Sequence, residues 1–356
     1  MSKNKAIITL LILLILITSA VLILSQIRQD TVGDGLTAED GVKTMPGSDT
    51  GDPEDMNTYN DGYDNDEAVS SDKHSNRHAG DDGMNEYGET KDNDNNDNNS
   101  TAAAEQLINE EGMTASERIR TPAGYERIEL TEGSFGEFLR DLPVKQHGTS
   151  VSYYDGGIKP YDVHEAVIDI DVGTRDLQQC ADAVIRLRAE YLYSKGMYDR
   201  IHFNFTNGFN AKYEKWLEGS RIMVSGNKAY WVENEDRDAG YESFRKYLDM
   251  VFAYAGTQSL SQEMKRIGVE EALPGDVFLK GGTPGHCVIL IDMAKNPQTG
   301  ERIFIIAQSY MPAQDIHILK NPANEDGNPW YKLDFGEELF TPEWTFSKDQ
   351  VFRFAD

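Results

Sequence analysis

Apolar residues are distributed very unevenly along this chain, and that limits where a core can form. Residues 6–25 are an uncharged run rich in Leu and Ile. Residues 30–105 are mostly Asp, Asn, Gly, Ser and Glu with hardly a branched aliphatic, and apolar residues at structural spacing return only near Ile119. The middle segment, with its low-complexity stretch of Asp and Asn at 92–99, cannot bury enough apolar surface to offset the entropy of ordering its backbone. It is expected to be a disordered spacer. The 356 residues therefore divide into an N-terminal membrane anchor or signal sequence (1–29), an acidic linker (30–105) and one globular domain (106–356).

An apolar run of about 20 residues, rising about 1.5 Å each, matches a hydrocarbon core of about 30 Å. Lys3 and Lys5 before it favour a cytoplasmic N-terminus, and Arg28 after it pulls weakly the other way. Thr18-Ser19-Ala20 offers a cleavage site, but Val21-Leu22-Ile23-Leu24 continues the run beyond it, which favours a retained single-pass anchor. On that reading the lipid bilayer is one partner, through this helix, and the folded domain lies outside the membrane. The net charge is −27, from 61 acidic against 34 basic residues. That balance excludes nucleic acid as a partner, since phosphate binding needs a basic stripe, and disfavours anionic lipid surfaces. With two cysteines, Cys180 and Cys287, one disulfide is available, but neither a disulfide scaffold nor a zinc site. Residues 61–66 lack the spaced ligands and closing Glu of a calcium loop, and no cofactor is expected.

Within the domain, Ser134 to Glu137 reads as a capping box. Residues 166–171 alternate apolar and acidic like a strand with one solvated face, which also accounts for the carboxylate pair Asp169 and Asp171. Thr174 is placed to cap a helix running to about Tyr193. Its apolar row is Leu177, Cys180 or Ala181, Val184, Leu187 and Tyr191, with Arg186, Arg188 and Glu190 off that row. Further helices are expected at 211–217, 241–255 and 259–267, and strands at 277–279, 287–292, 303–307 and 315–319. Helices followed by adjacent strands indicate an α+β domain with an antiparallel sheet.

A cysteine hydrolase needs a thiolate, an imidazole that takes its proton and a polar group that orients the imidazole. Cys180 on the long helix and His286 at the head of a strand stand in that chain order. If Asp292 faces Ile303 in the following hairpin, His286 faces Ser309, and a slip of one residue brings Gln308 there instead. Gln308 is the preferred orienter, because its amide oxygen can accept from the ring N–H. Alternation along a regular strand makes a Cys180–His286 dyad and a Cys180–Cys287 disulfide nearly exclusive, and an inert buried cysteine in the apolar row is the plainer reading of Cys180. Gly281-Gly282-Thr283-Pro284-Gly285 lacks the Lys-Ser or Lys-Thr and the helix of a phosphate loop, so it reads as a tight turn bringing His286 to a cleft rim. His202 reads as structural. His164 and His317 lack metal-ligand spacing. The aromatics Trp216, Trp231, Tyr310, Trp330, Tyr331 and Trp344 read mostly as core, with some free to line a cleft for a sugar or peptide.

From about Arg118 to Phe354 the chain resembles a bacterial family catalogued only as a domain of unknown function, found in secreted or anchored proteins. The resemblance is carried by residues 176–183 around Cys180, by His202-Phe203-Asn204-Phe205, by Pro274-Gly275-Asp276-Val277-Phe278, by Pro284-Gly285-His286 and by residues 307–317. Pro-Gly-Asp followed by a Gly-His leading into an apolar strand is also similar to segments of NlpC-type papain-like cell-wall peptidases and amidases. Around the nucleophile the sequence departs from their Asp-Cys-Ser-Gly, reading Gln179-Cys180-Ala181-Asp182. The resemblance implies a papain-like fold and an amidase or peptidase in the cell envelope, with Cys180 as nucleophile, His286 as base and Gln308 as orienter. The alternative that stays open is a non-catalytic module binding cell-wall peptide or glycan.

Overall fold

The computed structural model describes residues 107–355, apart from 234, 325 and 326. The expected anchor and acidic linker lie outside the described residues. In chain order the elements are α1 (Ala115–Arg118), β1 (Glu126–Arg127), α2 (Phe135–Arg140), β2 (His164–Val167), α3 (Cys180–Ser194), β3 (His202–Asn204), β4 (Asn210–Lys212), α4 (Tyr213–Leu217), β5 (Ser220–Ser225) and β6 (Lys228–Glu233). Then follow α5 (Tyr241–Tyr254), α6 (Thr257–Glu263), β7 (Lys265–Ile267), β8 (Val277–Lys280), β9 (His286–Lys295), β10 (Arg302–Gln308), β11 (His317–Leu319), β12 (Tyr331–Lys332), β13 (Glu338–Phe340), β14 (Thr345–Ser347) and β15 (Val351–Arg353). Among the described residues no helix is long and apolar enough to cross a membrane.

The domain is α+β, as expected, and its centre is β9. Every residue of this strand but Lys295 is buried. It pairs antiparallel with β8 on one side and β10 on the other, within a sheet ordered β2-β11-β10-β9-β8-β15-β7. Both faces are covered. Cys287, Ile289 and Ile291 join one core cluster with the residues of α3 and α5, whereas Val288, Leu290 and Phe278 join a second with Phe346. A strand buried on both sides needs apolar residues at consecutive positions, so this one reads as a continuous run instead of an alternation.

The buried Asp292 interrupts that run. Its carboxylate accepts from Arg127 Nε at 2.6 Å and Arg140 Nε at 2.7 Å, and it fastens β1 and α2 to the middle strand. Ser134 caps α2 through its hydroxyl, as expected, but Glu137 closes on the N–H of Gly133 and not on that of the cap.

Several of the expected elements need correction. The strand expected over 166–171 is β2 and ends at Val167, which leaves Asp169 and Asp171 exposed beyond it. The helix expected to run to Ile267 stops at Glu263, and β7 follows. Arg186 and Arg188 are buried, not off the packed face, because α3 is enclosed almost all round. Arg186 is compensated by Glu190 at 2.6 Å and Gln178 Oε1 at 3.1 Å, while Arg188 lies 5.1–5.5 Å from the rings of Phe135, Phe354 and Tyr191.

Burial pushes the Glu165 carboxyl on β2 up to about 7. Between the ordinary carboxylate range near 4.3 and about 7, the unfolded chain releases this proton first, so stability falls as pH rises across that window and levels off above it. Glu165→Gln should make the decline of the urea midpoint between about pH 5 and pH 7 shallower. An unchanged slope would remove Glu165 as its cause.

Candidate functional site

Cys180 is the first residue of α3, with Gln179 as the N-cap. The sequence pattern placed it about a turn and a half inside a helix capped by Thr174. Residues 175–179 instead form tight turns, with Leu177 N–H donating to Arg175 O and Gln179 N–H to Leu177 O, both at 2.8 Å. Two anchors hold these turns. Asp176 Oδ1 accepts from Ala313 N–H at 2.7 Å and from Gln179 Nε2 at 3.1 Å, and Gln178 is clamped by Arg186. The helix is started by Asp182, whose carboxyl accepts the Gln179 N–H at 3.1 Å. The thiol therefore sits where the helix macrodipole most favours a negative charge. The first-turn N–H groups of Cys180 and Ala181 have no backbone acceptor within the helix, and that of Ala181 helps to lower the Cys180 thiol.

His286 opens β9, directly after the glycine loop. A Cβ on Gly285 would stand 2.3 Å from both Gly282 O and Thr257 Oγ1, and one on Gly281 would stand 2.3 Å from Ser261 Oγ. The glycines thus let the loop press against α6 and deliver His286 to its place; no helix follows the loop. The Pro-Gly-Asp segment is structural in the same sense. Gly275 takes a φ of 100°, and Asp276 is buried against Arg353 at 2.7 Å.

The hairpin register differs from the expected one. Asp292 faces Ile305, not Ile303; a bulge follows, and the ladder ends with Ala307 opposite Ile289. Continued by one pair, this sets Gln308 across from Val288, on the same face as His286 and two residues along. Such a diagonal separation is within reach of two long side chains. Gln308 Oε1 lies 2.8 Å from His286 Nε2, and both residues are 1% exposed. Ser309, the other candidate, turns away, its Oγ lying 2.9 Å from Gln178 O and 2.8 Å from Gln314 O.

The Cys180 thiol adjoins the Cys287 thiol and the His286 ring closely enough for both to lower its pKa. The sequence expectation sets the dyad against a Cys180–Cys287 disulfide, and the two cysteines form no disulfide. His286 is the first residue of β9, paired with Lys280 of β8 but beyond the end of the ladder with β10. Both cysteines are free and buried, Cys180 with 9% exposure. The Cys287 hydrogen bond, followed by the hydrogen bond and charge of His286, draws the Cys180 thiol down to about 4 against the opposing effect of burial. Burial holds Cys287 well above the usual thiol range, so of the two sulfurs Cys180 is the one that ionises. Burial also raises the Asp182 carboxyl far above its usual range, which keeps a second negative charge away from the thiolate.

These groups open on a cleft of about 580 Å³ whose walls include Leu177, Phe252, Thr257, Pro284, Tyr310, Met311 and Trp344. Tyr310 and Trp344 flank the His286 ring at 4.8 and 5.4 Å between centroids. The structure thus brings together Cys180, His286 and Gln308. It leaves His202 beside Glu263 at 3.3 Å and His164 against Thr149 O at 3.0 Å, and among the described residues no cluster could hold a metal ion. Sequence reasoning missed Glu343 and Lys159, whose carboxylate and ammonium stand 2.7 Å apart behind Gln308. A buried lysine and a glutamate 184 positions apart carry no local signal.

A family model described as a domain of unknown function (4846) matches residues 115–353. No curated protein and no solved structure matches the chain.

Proposed function

We propose, for a chain that belongs to the family of domain of unknown function 4846, that the domain is a papain-like cysteine hydrolase. It would cleave an amide or related acyl bond in cell-envelope peptide, outside the membrane to which residues 6–25 tether it. One observation carries this reading: a thiol at a helix N-terminus adjoins an imidazole whose Nε2 is held by an amide oxygen at 2.8 Å. Nε2 is engaged by Gln308, so the nitrogen left for Cys180 is Nδ1. It takes the thiol proton, and the thiolate adds to the substrate carbonyl. The oxyanion then forms beside the N–H groups of Cys180 and Ala181 at the start of α3. His286 returns the proton to the leaving amine, and the C–N bond breaks to leave a thioester. Water attacks the thioester with His286 again as base, releasing the acid and restoring the thiol.

Turnover is tested by incubating the full-length protein with cell-wall stem peptides and measuring newly released amino groups. The expected result is release by the wild type and none by Cys180→Ala or His286→Ala. No release by the wild type, together with peptide or glycan binding that survives Cys180→Ala, would assign the cleft to a binding module instead.

A further inference from the structure

Behind His286 and Gln308 runs a buried polar chain that the mechanism has not used. Gln308 Nε2 donates to Glu343 Oε2 at 2.6 Å. Glu343 accepts in turn from Lys159 Nζ at 2.7 and 2.8 Å, and Lys159 also donates to Gln314 Oε1 at 3.0 Å. The side chain of Lys159 is 2% exposed and that of Glu343 16%. On the other side of the amide, His317 Nε2 lies 3.5 Å from Gln308 Nε2. The His317 Nδ1 is 2.8 Å from Asp315 O, a carbonyl that can only accept, so Nδ1 carries the proton and Nε2 offers its lone pair. Burial pushes His317 down to about 3, so this ring stays neutral and keeps that lone pair.

Each link allows one direction. An ammonium only donates, an ionised carboxylate only accepts, and an amide has one end of each kind. Lys159 therefore fixes Glu343 as acceptor, and Glu343 and the His317 lone pair together claim the Gln308 NH₂. The amide oxygen is left facing His286, which must then carry its proton on Nε2 and present Nδ1 to Cys180.

We infer that Glu343, held by Lys159, is a positioning residue that sets the tautomer of His286 by fixing which end of the Gln308 amide faces the ring. This rests on the hydrolase reading for its purpose but not for its test. In Glu343→Gln the new amide meets donors on both sides, Lys159 and the Gln308 NH₂. Gln308 relieves the conflict by turning over, which puts its NH₂ on His286 Nε2. The double variant Gln308→Glu with Glu343→Gln restores the polarity toward Lys159 and His286, because the new amide accepts from Lys159 and donates to a carboxylate that accepts from His286; only the longer 3.5 Å contact to His317 stays opposed.

The experiment uses the full chain labelled with ¹⁵N-histidine, with the His286 signals assigned by their loss in His286→Ala, and in parallel the rate of Cys180 alkylation by iodoacetamide near pH 6. The tautomer is read in a Cys180→Ala background, where the ring receives no thiol proton and is expected to carry its single proton on Nε2, while alkylation is read with Cys180 in place. Glu343→Gln should move that proton and slow alkylation by about tenfold or more, and the double variant should recover both. In the Cys180→Ala background a neutral ring protonated at Nδ1, or a tautomer that Glu343→Gln leaves unchanged, overturns the inference. A wild-type thiol without acid-range reactivity but with a tautomer that follows these substitutions would instead sink the hydrolase reading and leave the inference standing. A fault of folding would not be repaired by the second substitution, so recovery in the double variant separates positioning from structure.

Discussion

Cys180 should react with iodoacetamide at a rate that hardly changes between about pH 8 and pH 5, where a free cysteine loses about tenfold per pH unit below its ordinary pKa near 8.5. The pH profile is the right readout, because absolute rate misleads. A thiolate of low pKa is also a weaker nucleophile, with a Brønsted slope of about 0.4–0.5, so part of the gain in thiolate fraction is cancelled. His286→Ala should bring back the pH dependence and slow the reaction near pH 5 by about tenfold or more. Cys287→Ala is the control. Its hydrogen bond is the largest influence lowering the Cys180 thiol, with His286 next among the lowering influences. We nonetheless give the imidazole the larger role, because a thiol is a weak donor and an imidazolium is a full charge. If Cys287→Ala loses the acid-range reactivity and His286→Ala keeps it, the dyad is wrong.

Asp292→Ala should lower the unfolding free energy by about 3–5 kcal/mol, the usual cost of removing one partner of a buried ion pair. For a domain of this size that corresponds to a fall of ~10 °C in Tm. Asp292 is almost wholly buried and receives two guanidinium groups, Arg127 and Arg140. The same arginines also donate to carbonyls of the N-terminal segment, Arg127 to Ser116 O at 2.9 Å and Arg140 to Ile128 O at 3.0 Å. Removing the carboxylate leaves two half-buried cations and loosens α2 and β1 together. Thermal and urea unfolding monitored by circular dichroism measure the loss. A change below about 1 kcal/mol, the level of a surface pair, would mean that water replaces the carboxylate at no cost.

What could be read from the residues alone follows from local physics. The α+β class, the strands at 277–280, 286–295 and 302–308, the helix at 241–254 and the Ser134 cap all announce themselves through periodicity, turn residues and capping chemistry, which act between neighbours in the chain. The pairing of Gln308 with His286 was also within reach, since a hairpin reduces to a sum of residue numbers, although the bulge beside Asp292 changed that sum. Where α3 begins was not legible. Its start is decided by Ala313 and by Arg186 gripping the turns before Cys180, and that shift carries the thiol from the helix interior to its N-terminus. Equally hidden was the meeting of Lys159, Glu343 and Gln308. Only the tertiary fold brings these together, because a buried charge is tolerable only where partners are folded onto it, and here those partners are distant in the chain.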